Sequence, residues 1–311
     1  MRRLQLNNGL FIPTIGLGTY KSHSNEVKEA VKYAIDIGYR HIDTAWYYKN
    51  EKEVGDAICD KLKEGVVKRE ELFIVTKLWN NFHETKNVVP KLRESLESLK
   101  LDYVDLFLIH WPFAFKEDAD LLPSDSTSYS DVDYLQTWQG MEECVKLGLA
   151  KSIGLSNFNE EQITRILQNC KIKPVVNQVE VNPNFNQKGL IQFCKERDIV
   201  VTGFCPLGRS TQSIDTPDCP LSTILDPKVK EIAEKYGKTS AQVVLRYLVT
   251  LGISVIPKSV TKSRILENFQ IFDFDLGPED IHYLDSCNRN QRVSAMTPYK
   301  DHKYYPFIIE N

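Results

Sequence analysis

The chain has 311 residues, and with 42% hydrophobic and 26% charged residues it has the composition of a globular protein with a full core. Its formal net charge of −3 gives no general attraction to nucleic acid or to anionic membranes, so any anion-binding site must be local. The seven cysteines form an odd, scattered set without a Cys-x-x-Cys pair, which argues against a disulfide framework and against a metal site.

The N-terminus lacks the apolar run of a signal peptide, and no stretch approaches the roughly 20 apolar residues of a membrane span. We therefore expect a soluble, cytoplasmic protein with no nucleic-acid or membrane partner. The length alone allows either one large α/β barrel or two ordinary domains.

The predicted elements begin with a β-hairpin, because Asn7-Asn8-Gly9 lies between two apolar runs. Short apolar runs that fit buried parallel strands occur at residues 14–18, 41–43, 72–76, 104–110, 152–156, 175–179, 200–204 and 254–256. Helical patterns separate them, at residues 24–37 (with Ser24 as the cap), 51–63, 85–99, 134–147, 160–168, 187–197, 239–250 and 262–269.

Eight strands, each followed by a helix and without linkers, indicate an α/β fold: one closed (β/α)8 TIM barrel domain over residues 1–311. A doubly wound sheet is the alternative, but the stretch from Gly16 lacks the third glycine of its usual first turn. Three segments exceed what a barrel needs: the loops 111–133 and 208–226 and the tail beyond residue 288. We expect them to wall a pocket at the C-terminal ends of the strands, and we expect an extra C-terminal helix between residues 277 and 287 outside the barrel.

Four titratable residues follow three adjacent predicted strands, namely Asp43, Tyr48, Lys77 and His110. Singly, each has an ordinary explanation: the Asp caps a helix, the Tyr packs on its loop, the His is structural and the Lys reaches water. Together they fit a proton-transfer device. Free tyrosine titrates near 10, and a lysine ammonium beside it would favour the phenolate, with Asp43 holding Lys77 in its charged form.

Three long motifs, at residues 38–48, 149–158 and 256–268, resemble the signatures of the aldo-keto reductase superfamily, in its aldose-reductase-like group. The similarity covers essentially the whole chain. The resemblance implies NADPH-dependent reduction of a small-molecule carbonyl, with Tyr48 as general acid and Asp43, Lys77 and His110 completing a tetrad. It also implies a monomer.

The expected cofactor-binding residues are Thr19, Lys21, Ser156, Asn157, Gln178, Phe204, Leu207, Lys258, Ser259, Arg264 and Asn268. Lys258, Ser259 and Arg264 supply the charge and hydroxyl that a 2′-phosphate requires, at the start of a helix. Without the resemblance they would be interpreted as a solvated helix cap. Ser156, Asn157 and Gln178 offer the hydrogen bonds of a carboxamide, which the family uses for the nicotinamide; caps and turns are their ordinary explanation.

Phe204 occupies the place where the family usually stacks a tyrosine on the nicotinamide, so stacking survives but a hydroxyl is lost. Thr19 and Lys21 are expected along the pyrophosphate, although Lys21 fits a solvated surface position equally well.

The expected substrate-binding residues are Tyr20, Tyr47, Trp79 and Trp111. Aldose reductases proper carry Trp, His and Val where this chain has Tyr20, Trp46 and Tyr47. If these rings and those of Phe113 and Phe115 face inward, the pocket is apolar and favours apolar aldehydes or ketosteroids over sugars. The stretch from residue 131 resembles arthropod members, some of which reduce 3-dehydroecdysteroids. Two rival functions stay open: an NADP+-dependent alcohol or steroid dehydrogenase, and a non-catalytic cofactor-binding relative.

Overall fold

A computed structural model of the protein describes residues 2–208 and 222–307. Its strands are β1 (Arg3–Gln5), β2 (Phe11–Pro13), β3 (Leu17–Gly18), β4 (His41–Asp43), β5 (Phe73–Leu78), β6 (Leu106–Ile109), β7 (Ala114–Phe115), β8 (Tyr129–Ser130), β9 (Ile153–Ser156), β10 (Val176–Glu180), β11 (Val200–Phe204) and β12 (Ser254–Val255). All except β1, β2, β7 and β8 belong to one parallel sheet in chain order. Backbone bridges from Ile15 to Val255 and from Gly18 to Lys258 join its two ends. The sheet is therefore closed, and the predicted (β/α)8 barrel is confirmed.

The helices are α1 (Ser24–Asp36), α2 (Glu51–Lys63), α3 (Thr85–Leu99), α4 (Tyr134–Lys146), α5 (Glu160–Asn169), α6 (Lys188–Lys195), α7 (Pro227–Tyr236), α8 (Ser240–Thr250), α9 (Lys262–Phe269) and α10 (Pro278–Ser286). Apart from α7, each lies where the sequence predicts a helix, with ends that differ by at most two residues. The predicted cap of α1 is one residue off, because His23 occupies the N-cap position and Ser24 is the first helical residue.

Side chains two residues apart on a strand point to the same side, so each strand contributes a row of side chains to the inside of the barrel. These rows are apolar at one end of the barrel and polar at the other. On β5, Phe73 and Val75 point to the same side as Lys77, so the lysine comes last, at the C-terminal end of the strand. The apolar end also takes in the N-terminal hairpin, in which β1 pairs antiparallel with β2. Its cluster consists of Leu6, Ile12, Phe73, Val75, Leu106, Leu108, Val175 and Val176.

Helix α7 is a finding that the sequence prediction missed. Its local signals are present: Asp226 caps it by accepting from the backbone N–H groups of Lys228 and Val229, Pro227 is its first residue, and Gly237 ends it with φ at 61°. A (β/α)8 barrel needs only one helix after each strand, and the helix predicted at residues 239–250 already meets that need after the seventh strand.

The predicted loop 111–133 contains a small antiparallel ribbon, in which β7 pairs with β8. Strands of two residues carry too little pattern to be read from sequence. The predicted loop 208–226 lies mostly outside the described residues, as does Cys219. Cys59, Cys144, Cys170, Cys194 and Cys287 are free. Within residues 2–208 and 222–307, no helix is both long and apolar enough to cross a membrane.

We predict that Gly55→Ala destabilises the protein by about 1–3 kcal/mol, whereas Gly189→Ala is neutral or stabilises it by up to about 1 kcal/mol. Both glycines lie in helices, but a Cβ at Gly55 would come within 2.5 Å of the Leu99 carbonyl oxygen, at the end of α3, while a Cβ at Gly189 would meet nothing within 4 Å. Urea unfolding followed by circular dichroism would measure both differences. Equal stability of the two variants would show that α2 and α3 can move apart at no cost.

Candidate active site

A cavity of about 790 Å3 opens at the C-terminal ends of the strands. It brings together most of the residues predicted from the sequence: Thr19, Tyr20, Lys21, Asp43, Tyr47, Tyr48, Trp79, His110, Trp111, Ser156, Asn157, Gln178, Phe204, Leu207 and Lys258. Lys77 is buried and does not line the cavity, and Ser259, Arg264 and Asn268 also lie outside the lining.

Lys77 lies at the centre of the four titratable residues. Its Nζ is 2.6 Å from Asp43 Oδ1, 2.8 Å from the Thr44 carbonyl oxygen and 3.3 Å from Tyr48 Oη. Asp43 ends β4, and Tyr48 belongs to the single 3-10 turn that follows this strand. His110 follows β6, and its ring meets that of Tyr48 nearly edge-on, with 5.7 Å between centroids. Strand ends close in space therefore bring all four side chains together.

Burial sets the protonation states of this group. It raises the pKa of Tyr48 well above its usual range, and the charge of Asp43 adds to the shift. It lowers the pKa of Lys77, against the opposing effect of Asp43, and it lowers the pKa of His110 well below its usual range. Lys77 still favours the phenolate, but burial and the charge of Asp43 outweigh this effect, so the pKa of Tyr48 is raised. Tyr48 and His110 are neutral near pH 7.

A chain of hydrogen bonds that the sequence did not predict connects His110 to Asp43. The side-chain amide of Asn157 donates to the His110 carbonyl oxygen (2.9 Å) and to Ser156 Oγ (3.2 Å). Ser156 Oγ donates to the Gln178 carbonyl oxygen (2.8 Å), and Gln178 Nε2 donates to Asp43 Oδ2 (2.7 Å). The three residues predicted for a carboxamide thus also support the titratable group. Asn157 Oδ1 is buried and has no hydrogen-bond partner in the described part of the chain.

The predicted phosphate-binding residues lie where β12 leads into α9: Lys258 is in the cavity lining, whereas Ser259 and Arg264 lie beyond it. Lys258 and Arg264 are exposed, and within residues 2–208 and 222–307 neither forms an ion pair. Ser259 and Asn268 are buried, and Ser259 Oγ accepts from the backbone N–H of Thr261. Two free cations therefore flank a helix start, an arrangement suited to an anion.

Aromatic side chains form one wall of the cavity. Tyr47 stacks on Trp79 with 3.8 Å between ring centroids, and the ring of Tyr20 lies 4.9 Å from that of Tyr48. Trp111, the fourth predicted substrate residue, also lines the cavity.

Three of the aromatic residues expected to face inward do not line the cavity. Trp46 packs edge-on against Phe82 and donates its indole N–H to Glu94. Phe115 belongs to β7, and both it and Phe113 are buried with their rings against Tyr299. The aromatic wall is therefore smaller than the sequence suggests.

The cavity lining also contains side chains that the sequence did not single out, among them Leu122, Cys205, Ser294 and Met296. Leu122 belongs to the loop 111–133, and Ser294 and Met296 belong to the tail beyond residue 288. The length of these segments was the available signal, but it does not indicate which of their side chains reach the cavity.

The Aldo/keto reductase family matches residues 14–289 of this chain. Aldo-keto reductase family 1 member A1 of Gallus gallus is 47% identical over 315 residues, which cover 97% of this chain and 96% of that protein. Aldo-keto reductase AKR2E4 of Bombyx mori is 45% identical over 309 residues, which cover 97% of each chain.

Solved structures agree with these relatives. The crystal structure of AKR2E4 in complex with NADP has a TM-score of 0.92 at 44% identity and covers 98% of this chain and 99% of its own. The aldose reductase of Schistosoma japonicum has a TM-score of 0.92 at 44% identity and covers 100% of both chains.

Fold and sequence together define a barrel oxidoreductase. The chain belongs to the aldo/keto reductase family, and the identification from its three motifs is confirmed. The family uses NADPH, the cofactor predicted from the sequence. Vertebrate and insect members are similar to this chain to nearly the same degree, so the resemblance to arthropod members stays a prediction.

Proposed function

We propose that this protein reduces aldehydes and ketones to alcohols with NADPH, and that Tyr48 donates the proton. The observation that carries the proposal is the placement of Tyr48 Oη, 3.3 Å from the buried Lys77 ammonium, in the lining of a cavity large enough for a small carbonyl compound. Membership of the family supports the same reaction class.

NADPH, when bound, supplies the hydride that reduces the carbonyl carbon. Tyr48 protonates the carbonyl oxygen as negative charge develops on it, because a phenol is a stronger acid than the alcohol that forms. Lys77 stabilises the phenolate that this transfer leaves, and Asp43 keeps Lys77 charged. His110, neutral near pH 7, can donate a hydrogen bond to the same oxygen and orient it.

The residues present fit this cofactor. The unpartnered Asn157 Oδ1 can accept from a carboxamide N–H, and the ring of Phe204 in the cavity lining offers a stacking surface. Thr19, Lys21 and Leu207 line the cavity between this end and Lys258. We propose that Lys258, Ser259 and Arg264 bind the 2′-phosphate, with Asn268 in the same segment.

Two rival functions remain distinct from this proposal. An NADP+-dependent alcohol or steroid dehydrogenase would use the same groups in the opposite direction. A non-catalytic cofactor-binding relative would need no proton donor, so the contacts among Tyr48, Lys77 and Asp43 count against it. Assaying both directions with purified protein separates the three possibilities.

Tyr48→Phe should lower kcat by about 10²–10⁴-fold without weakening NADPH binding, because it removes the proton donor and little packing. Tyr39→Phe is the matched control, since it removes another buried hydroxyl, one that donates to the Ile265 carbonyl oxygen away from the cavity. Steady-state NADPH oxidation and a fluorescence titration would measure the two effects. Normal turnover by a folded Tyr48→Phe protein would place the acid elsewhere.

Arg264→Ala should weaken NADPH binding by about tenfold or more, because a charge-assisted phosphate contact contributes about 1.5–3 kcal/mol. NADH binding should change far less. Lys262→Ala is the control: Lys262 begins α9, but its ammonium lies 5.5 Å from the ring of Tyr33. Equal losses for both cofactors in Arg264→Ala would contradict a contact with the 2′-phosphate.

We propose that the substrates are apolar aldehydes and bulky ketones, including ketosteroids such as ecdysteroids, rather than open-chain sugars. Tyr20, Tyr47, Trp79 and Trp111 in the lining support this preference, since hydroxyls of a polyol would be poorly paired against aromatic rings. The outward position of Trp46 favours the competing interpretation, a pocket closer to that of a sugar reductase.

Values of kcat/KM for an aromatic aldehyde, a ketosteroid and glucose would decide between these pockets. We expect glucose to be the poorest substrate of the three. The aromatic aldehyde and the ketosteroid bury apolar area against the rings, which contributes about 25 cal/mol per Å2 to their binding free energy, whereas glucose has little apolar area to bury. A glucose value equal to theirs would contradict the proposal.

We further propose that the protein acts in the cytoplasm as a monomer, and that residues 1–311 form a single domain. The closed barrel supports the single domain, since its last strand is bridged to its first.

A further inference from the structure

Glu180 is a buried carboxylate that the proposed chemistry does not use. It ends β10, is 0% exposed, and points to the same side of the strand as Gln178, at the polar end of the barrel. A buried carboxylate is costly unless hydrogen bonds and charge compensate it, so its partners indicate what it does.

One partner is local, since the side-chain amide of Asn182 donates to Glu180 Oε1 at 3.3 Å, and the shorter hydrogen bonds come from the C-terminal tail. The backbone N–H of Val293 donates to Glu180 Oε1 and that of Ser294 to Glu180 Oε2, each at 2.8 Å. Arg292 lies just before them, with its guanidinium 3.5 Å from the Phe307 ring centroid and 4.3 Å from that of Phe185. Burial lowers the pKa of Arg292 to about 10, so this group is charged at neutral pH, and burial raises the pKa of Glu180 against the opposing effect of the Val293 and Ser294 N–H groups and of the Arg292 charge.

The anchored stretch leads directly into the cavity, because Ser294 and Met296 belong to its lining. Ala295, between these two residues, is held as well, since Tyr305 Oη donates to its carbonyl oxygen at 2.5 Å. Glu180 itself does not line the cavity. It can therefore act on a substrate only through the tail.

We infer that Glu180 is a positioning residue that fixes the tail wall (residues 293–296) and thereby determines how well large carbonyl substrates bind. The inference rests on the proposed function for its kinetic consequence. A substrate large enough to contact Met296 gains buried apolar area from a fixed wall, whereas a small aldehyde held near Tyr48 does not reach it.

The test compares propanal with naphthaldehyde in Glu180→Gln. The amide loses the charge and sets an NH2 group against a backbone N–H, so the wall should detach. We expect KM for naphthaldehyde to rise about tenfold, while kcat/KM for propanal and the Kd of NADPH stay within about twofold. Val293→Pro, which deletes one of the two backbone donors and keeps the Glu180 side chain, should give the same pattern if Glu180→Gln folds poorly.

Glu142→Gln is the matched control. Glu142 is also buried and accepts from two successive backbone N–H groups, those of Lys171 and Ile172, but it lies outside the cavity lining. It should lower stability without any substrate-dependent change in KM.

A double-mutant cycle tests whether Glu180 acts through the wall. In a Met296→Ala background, Glu180→Gln should add little to the naphthaldehyde KM, because the contact is already lost. Additive effects, or equal losses for propanal and naphthaldehyde, would overturn the inference.

Binding measurements separate this inference from the proposed function. Wild-type protein that turns over neither aldehyde would contradict the proposed function alone. Quenching of the fluorescence of Trp79 and Trp111, which line the cavity, would still measure the Kd of naphthaldehyde. An unchanged Kd in Glu180→Gln would then overturn the inference.

Discussion

The buried ion pair between Lys77 and Asp43 is the interaction on which the rest of the site depends. Their side chains are 0% and 2% exposed, and desolvating each ion costs several kcal/mol unless its remaining hydrogen-bonding positions are filled. The Thr44 carbonyl oxygen fills one for Lys77, and Gln178 fills one for Asp43. Because the ammonium is held this way, its third N–H is directed at Tyr48 Oη. This contact with a buried cation distinguishes the Tyr48 phenol from that of Tyr39, which donates to a backbone carbonyl.

The two sides of the cavity are built by different means. The residues proposed to bind the cofactor lie mainly at strand ends, whose positions follow from the closed sheet. The opposite side includes Ser294 and Met296 of the tail, and His302 Nε2, 3.1 Å from the Ala114 carbonyl oxygen and 3.3 Å from that of Ser130, connects the tail to the β7–β8 ribbon. Gln162, at the start of α5, donates to the Tyr304 carbonyl oxygen. Sequence change in the tail can therefore reshape the pocket without disturbing the barrel.

The barrel and the four titratable residues could be predicted from the sequence because each depends on a local pattern, an apolar strand that ends in a polar residue. Helix α7 was predictable too, since Asp226-Pro227 is an ordinary helix start. The contact of Gln178 with Asp43 was not, because it joins residues 135 positions apart across the barrel. The outward position of Trp46 was equally hidden, since alternation does not apply within a 3-10 turn.

That long-range contact also changes how the site works as a unit. Asp43 divides its two oxygens: Oδ1 accepts from Lys77, which lies 3.3 Å from Tyr48 Oη, and Oδ2 accepts from the side-chain amide of Gln178. The backbone carbonyl of Gln178 accepts in turn from Ser156 Oγ, to which Asn157 donates. The residues proposed to bind the carboxamide and the one proposed to donate the proton are therefore positioned by the same two side chains, Gln178 and Asp43.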